Sequence, residues 1–201
     1  MARLPVVLSM LIALAAFPAH GASVSKSYSY FSIGGSDLGE IEAELGRRGP
    51  QVGGAGKRHP GATRMKFNTR LGYREQNGRC RIVEARVSVD ARVILPRWKR
   101  SRKADEGTRL IWDTLASDIK RHEESHVIIA KNHARELEEA LKALRPRRDC
   151  AEMERAANQT SAQILAKHDR AQQQFDRVEG MNFENRLLML LEHRMERDAA
   201  R

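Results

Sequence analysis

The amino-acid sequence predicts an α+β fold in which a small antiparallel N-terminal sheet with a short helix precedes a long antiparallel helical hairpin and a C-terminal helix. Three observations indicate this class. Residues 22–98 contain segments in which apolar and polar residues alternate, apolar residues recur every three or four positions from about Asp105 onward, and Pro146 interrupts that helical pattern. A length of 201 residues suits one domain. We expect this domain over 22–201, β-rich over 22–98 and helical over 104–201.

The first 21 residues have the pattern of a secretory signal peptide. Arg3 precedes an apolar run over 4–17, and small residues surround the expected cleavage site near Gly21. This run is shorter than the roughly 20 apolar residues of a membrane-spanning helix. We therefore expect an exported protein, periplasmic or secreted, without stable membrane insertion.

The β-rich half is expected to contain three strands and one helix. Aromatic and β-branched residues predict a strand over 28–33, and a short helical pattern follows over 36–49. Two further strands, over 63–73 and 80–95, flank Asn77-Gly78, a dipeptide typical of two-residue hairpin turns.

The helical half is expected to contain two long amphipathic helices and a shorter one over 181–195. Arg145-Pro146 ends the first helix, and Asp149-Cys-Ala-Glu152 has the spacing of a capping box that begins the second. The apolar row of the first helix contains Ile111, Leu115, Ile119, Ile129, Leu137, Leu141 and Leu144. The matching row of the second helix contains Met153, Ala157, Thr160, Ile164, Ala171, Phe175 and Val178.

The two cysteines, Cys80 and Cys150, are 70 positions apart and match no zinc-finger spacing. In an oxidising compartment we expect them to form one disulfide bond. This bond would tie the β-rich half to the second long helix.

The chain is basic, with 36 Lys and Arg against 26 Asp and Glu and a net charge of +10. Net charge indicates attraction to anions but does not define a fold or a reaction. Because export removes nucleic acid as the usual partner and no known nucleic-acid motif is present, we expect no nucleic-acid binding. The basic segment 97–103 is a solvated linker or a contact for an anionic envelope polymer.

The motif that indicates chemistry is His122-Glu123-Glu124-Ser125-His126, an HExxH sequence in the first long helix. Histidines four residues apart lie on one helical face, where both imidazoles can bind one Zn²⁺ ion. Glu123 lies one position round the helix and can act on a water at the metal. His122 and His126 interrupt an apolar row, where unsatisfied polar groups are costly.

A catalytic zinc site usually has three protein ligands and a water. A symmetric hairpin with its apex near residue 147 brings His168 level with the HExxH motif, so we expect His168 as the third metal ligand. The carboxylates of Asp169, Asp176 and Glu179 are alternatives.

Two further residues are expected to support the site without binding the metal. His133 lies seven positions, about 10 Å, beyond His126 on a continuous helix, too far to share one metal. Asp118, four residues before His122, is either an acceptor that orients His122 or a solvated helix acid.

The sequence resembles the domain-of-unknown-function 922 family of predicted secreted zinc-dependent bacterial proteases. The residues that match are 28–35, 47–50, 59–67, 95–98, 111–114 and the HExxH motif at 122–126. The resemblance implies export, a zincin-like domain and peptidase chemistry, with His122 and His126 as ligands and Glu123 as the catalytic residue. It implies no particular substrate.

We therefore expect an exported zinc metallopeptidase that acts on a peptide or protein of the envelope or the exterior. Candidates for stabilising the oxyanion are Tyr28, Tyr30, Tyr73, His133 and nearby arginines. The alternative function is a noncatalytic exported binding protein, with a structural or vestigial metal site and a basic surface for anionic envelope polymers.

Overall fold

The computed structural model describes residues 21–52, 56 and 58–200, and it confirms the predicted α+β class. The predicted signal peptide lies, apart from Gly21, outside these residues. The described elements are, in order, β1 (Ser23–Ile33), α1 (Leu38–Arg48), β2 (Ala62–Gln76), β3 (Arg79–Trp98), α2 (Glu106–Lys142), α3 (Cys150–Met181) and α4 (Phe183–Ala199). No helix in this part of the chain is long and apolar enough to span a membrane.

The three strands form one sheet in the order β1-β3-β2. β2 and β3 form the predicted antiparallel hairpin, in which Asn77 (φ 53°) and Gly78 (φ 66°) both adopt the positive φ of a type I′ turn. β1 instead pairs with β3 in parallel, so the sheet is mixed and not wholly antiparallel as predicted. The alternation of side chains predicts strands but does not distinguish the two pairing directions.

Aspartates begin three of the helices. The side chains of Asp37, Asp105 and Asp149 accept hydrogen bonds from the backbone N–H groups of residues 40, 108 and 152 at 2.9, 2.6 and 2.7 Å. These bonds satisfy N–H groups that have no partner within the helix. The start predicted for α3 at the Asp149 capping box is confirmed.

The core lies between the sheet and α2. Alternate residues of β3 point toward this helix and are buried, among them Val87 and Val89. They pack against Ala130, Ala134 and Leu137 of α2. Small residues at 130 and 134 let the helix approach the sheet closely.

The connection between α2 and α3 is attached to the sheet. Cys80 of β3 forms the predicted disulfide bond with Cys150, the first residue of α3. The backbones of Cys80 and Arg147 also exchange two hydrogen bonds, at 2.8 and 2.9 Å. The prediction that His168 lies level with the HExxH motif assumed a symmetric turn between α2 and α3. Because this connection is attached to β3, the turn is not symmetric.

Gly61, just before β2, lies directly against α2. A Cβ atom at this position would be 2.8 Å from Glu123 Oε1 and 2.9 Å from Ile119 Cγ2. A contact this short forces the neighbouring atoms to move. The absence of a side chain at Gly61 thus lets the start of β2 approach the HExxH segment of α2.

Removing the disulfide with Cys80→Ala and Cys150→Ala should lower the free energy of unfolding by roughly 2–4 kcal/mol, because the bond closes a long loop in the unfolded chain. Chemical denaturation measures this loss. Reductant should destabilise the wild-type protein and leave the double variant unchanged. A wild-type stability that does not respond to reductant would contradict the expected contribution.

Gly61→Ala should destabilise the protein by about 1–3 kcal/mol, because the new methyl group overlaps Glu123 and Ile119. Gly46→Ala in α1 is the matched control, since no atom lies within 4 Å of its added Cβ. It should stabilise the protein by up to about 1 kcal/mol. Thermal unfolding of both variants tests the difference, and equal shifts in Tm would show that the packing at Gly61 is not tight.

Candidate functional site

A cleft of about 760 Å³ lies at the HExxH segment. Its walls come from the loop before β2, the start of β2, and helices α2, α3 and α4. The lining residues include His59, Gly61, Thr63, Phe67, Asp118, His122, Glu123, His126, His168, Gln172, Asp176, Glu179 and Arg186. The cleft therefore contains the predicted catalytic residue and all three predicted metal ligands.

Three possible metal-binding atoms converge in this cleft. His122 Nε2 and His126 Nε2 are 3.1 Å apart, and Asp176 Oδ1 is 3.3 Å and 3.1 Å from them. In a tetrahedral site with bonds of 2.0–2.1 Å, ligand atoms are separated by about 3.3 Å. Among the described residues, these three form the group whose ligand atoms suit one metal ion. The Asp176 side chain is 55% exposed, so the site is open to solvent on that side.

A chain of hydrogen bonds determines which nitrogen of His126 carries a proton. His126 Nδ1 lies within hydrogen-bonding distance of Gln172 Oε1, which can only accept. Gln172 Nε2 donates to the His126 carbonyl oxygen at 3.1 Å and faces His168 Nε2 at 2.8 Å. These contacts fix the orientation of the Gln172 amide. The proton of neutral His126 is therefore on Nδ1, and the lone pair of Nε2 points into the metal group.

The series of hydrogen bonds continues beyond Gln172 to His168 and Asp169. His168 Nδ1 is 3.1 Å from Asp169 Oδ1, so it donates to this carboxylate and His168 Nε2 accepts from Gln172. His168 is buried, and this burial lowers the pKa of its imidazole. A neutral His168 is the form that can both donate to Asp169 and accept from Gln172.

His122 is held by an aromatic ring and a carboxylate. Its imidazole stacks on Phe175 at 5.0 Å between ring centroids, and its Nδ1 lies 3.7 Å from Glu179 Oε2. Burial, and next the nearby His126, lower the pKa of His122. The neutral imidazole is thereby favoured, which is the form that binds a metal ion.

Glu123 occupies the same cleft and is only 5% exposed. Burial raises the pKa of its carboxyl group. The hydroxyl of Thr63 at the start of β2 lies 2.8 Å from Glu123 Oε2 and 2.9 Å from the Glu123 carbonyl oxygen. One carboxylate oxygen is thus held by Thr63, and the other occupies the space that Gly61 leaves free.

Asp118 does not orient His122, which corrects the sequence prediction. Its carboxylate is buried and accepts hydrogen bonds from Arg121 at 2.9 Å and from Arg186 of α4 at 3.1 Å. Burial alone would raise the pKa of Asp118, but these two arginines lower it. Both arginines also contact Glu179, so this ionic cluster joins α2, α3 and α4 and holds the carboxylate beside His122.

His168, expected from the sequence as the third ligand, is not part of the candidate metal group. His126 lies opposite Gln172 and His122 opposite Asp176, so α3 is displaced by one helical turn from the predicted register. The attachment of residues 147 and 150 to β3 accounts for this shift. Asp176, one of the alternative third ligands expected from the sequence, lies beside His122 and His126 instead.

The other predicted supporting residues lie outside the cleft. His133 Nδ1 donates to the carbonyl oxygen of Ile129 at 2.9 Å, and its ring lies edge-on to His168 at 5.6 Å between centroids. Tyr28 donates to Glu124, and the Arg97 guanidinium lies over the ring of Tyr30. These tyrosines and Tyr73 do not line the cleft, so the structure does not favour them as oxyanion donors.

Sequence reasoning missed Gln172, Thr63 and Phe175 as parts of the site. By sequence, Phe175 fits only the apolar row of α3, and Thr63 lies in a predicted strand. Gln172 follows His168 by four residues, so the spacing that selected His168 would have found it in the correct register.

A family model described as "Bacterial protein of unknown function (DUF922)" matches residues 28–183. This region includes β2, β3, α2, α3 and every residue of the candidate metal group. Searches of curated proteins and of solved structures find no match. Because the match covers most of the chain, the protein is a member of the DUF922 family.

Proposed function

We propose that this protein is an exported zinc metallopeptidase that hydrolyses peptide bonds with Glu123 as the general base. The observation that carries the proposal is the convergence of His122 Nε2, His126 Nε2 and Asp176 Oδ1 within 3.1–3.3 Å. Two imidazoles and a carboxylate, with an open side for water, suit a catalytic zinc site. The HExxH sequence places a carboxylate next to the first ligand.

A bound zinc ion would lower the pKa of its water to about 7 and polarise the scissile carbonyl. The residues of this chain supply the rest of the chemistry. The Glu123 carboxylate accepts the proton of the attacking water and delivers it to the leaving nitrogen. Its burial supports this role, because a raised pKa brings a carboxyl group closer to the pH at which it must both accept and release a proton.

The position of β2 supports a peptide as the substrate. β2 is an edge strand, and its first residues, Ala62 and Thr63, line the cleft. The outer edge of a sheet can bind an extended peptide through main-chain hydrogen bonds. An extended segment beside Ala62 and Thr63 would pass close to Glu123, since Thr63 is bonded to that residue.

Glu123→Gln should leave zinc bound and reduce cleavage of a broad peptide library by roughly 10²-fold or more, because the amide cannot accept the proton. Zinc content is measured by elemental analysis and cleavage by mass spectrometry. Glu124→Gln is the matched control, because Glu124 contacts Tyr28 and Lys26 and does not line the cleft. It should retain activity.

Three outcomes of this experiment would contradict the proposal. Full cleavage by the Glu123→Gln variant would exclude the general-base role. A protein that holds iron and no zinc would indicate a non-haem iron site, which two histidines and one carboxylate also form. Bound zinc without cleavage by the wild-type protein would support the noncatalytic binding protein instead.

Gln172→Leu should weaken zinc binding by about 10–100-fold, because it removes the acceptor that keeps the His126 proton on Nδ1. Competition with a chromophoric chelator measures the Kd. In the metal-free protein, NMR of the imidazole nitrogens should show His126 protonated on Nδ1 in the wild type and on Nε2 in the variant. Exposed Gln173→Leu is the control. An unchanged Kd and tautomer in Gln172→Leu would remove Gln172 from the site.

A further inference from the structure

The face of the sheet opposite α2 carries a concentration of arginines. Along β3, odd-numbered residues from 85 to 95 point toward the helices and are buried, so the even-numbered residues point away. On that outer face the β2–β3 register places Arg64 opposite Arg92 and Arg70 opposite Arg86. A bulge at Gly72/Tyr73 reverses the alternation beyond it, where Cys80 is buried, so Arg79 and Arg81 also point outward and Arg81 forms a third pair with Arg74. All six side chains are exposed.

Like charges directly opposite each other on a sheet are destabilising. Three such pairs in one hairpin do not follow from the requirements of folding. Lys66 and Arg79 add two positive charges to the same face, whereas its acidic residues are Glu84 and Asp90. Within the described residues, Arg86 is the member of this set that forms a salt bridge, with Glu84 at 2.8 Å. Arg92 and Arg81 donate to the neutral side chains of Ser29 and Gln76, so their positive charges are not balanced by a carboxylate among these residues.

The shape of this outer face, which carries the arginine pairs, indicates a linear ligand. The pairs extend over 11 residues of β2, from Arg64 to Arg74, roughly 34 Å, but are only two strands wide, roughly 5 Å between backbones. Because strands twist, a flat lipid surface cannot contact all three pairs at once, whereas a flexible chain can follow them. Arginine also binds planar carboxylates and other oxyanions through two parallel N–H groups.

The neighbouring strand adds hydroxyl groups to this face. Ser23, Ser25, Ser27 and Ser29 of β1 alternate with residues that face the helices, and Arg92 donates to the Ser29 hydroxyl at 3.2 Å. Among the outward-facing residues of β2 and β3 there is no aromatic side chain on which a nucleic-acid base could stack. Serine hydroxyls beside arginines match a polymer that carries both hydroxyl and acidic groups.

We propose that the outer face of the β2–β3 hairpin, with its three arginine pairs, binds a linear acidic polysaccharide. This binding does not depend on the proposed peptidase activity, because the face lies on the other side of the sheet from the cleft. It would anchor an exported protein to an anionic envelope polymer through contacts that weaken as salt increases.

Binding of polygalacturonate to the full-length mature protein tests this proposal, with neutral dextran as the ligand control. Arg64→Gln with Arg92→Gln, and separately Arg70→Gln with Arg86→Gln, should each weaken binding about tenfold at low salt. Arg155→Gln with Arg170→Gln on the exposed surface of α3 removes the same charge and should leave affinity within about twofold. Thermal stability of the Arg64→Gln with Arg92→Gln variant should be unchanged or higher, because it relieves repulsion. The Arg70→Gln with Arg86→Gln variant also loses the exposed salt bridge to Glu84, which contributes at most about 1 kcal/mol.

Equal losses in the sheet variants and the α3 control would overturn the proposal, because net charge alone would then account for binding. Tighter binding to phosphatidylglycerol vesicles, polyglutamate or a thymidine oligonucleotide than to polygalacturonate would overturn the choice of polysaccharide. Absence of binding to polygalacturonate at low salt would overturn the site itself.

Discussion

Helices α2 and α3 lie antiparallel with Gln172 opposite His126 and Asp176 opposite His122, and this register determines the chemistry of the cleft. The register is set away from the site, where the start of α3 is attached to β3. The disulfide to Cys150 and the bridge to Arg147 both use Cys80. A displacement of one helical turn would place His168 near the HExxH histidines and move the Asp176 carboxylate away.

Once the helices are in this register, every buried polar group of the cleft has a partner. Gln172 links His126 to His168, Thr63 holds Glu123, and the Asp118 cluster holds Glu179 beside His122. No buried side-chain nitrogen or oxygen of the described residues lacks a hydrogen bond. Such networks keep side chains in one orientation, because any rearrangement leaves a buried polar group unsatisfied. The candidate metal group differs from these pairs, because two imidazole nitrogens and one carboxylate oxygen converge there in an arrangement that one metal ion could complete.

The local features of the fold could be predicted from the sequence, whereas features that depend on distant contacts could not. The Asp149 capping box, the Asn77-Gly78 turn and the period of apolar residues each depend on a few adjacent residues, and all three are confirmed. The parallel pairing of β1 with β3 depends on which strand edge is free, and alternation carries no information on that choice. The candidate site likewise depends on contacts between distant parts of the chain. Local spacing identified His122, Glu123 and His126 as candidates, but the choice between His168 and Asp176 required the position of α3 on the sheet.

The most direct test of the proposed metal site is X-ray absorption spectroscopy of the zinc-loaded protein. Multiple scattering from imidazole rings reports how many histidines bind the metal. We expect a four-coordinate shell of nitrogen and oxygen at about 2.0–2.1 Å with two imidazoles, and loss of one oxygen contribution in Asp176→Ala but not in Asp169→Ala. A spectrum with three imidazoles would place His168 or His59 of the cleft on the metal and contradict the ligand set of His122, His126 and Asp176.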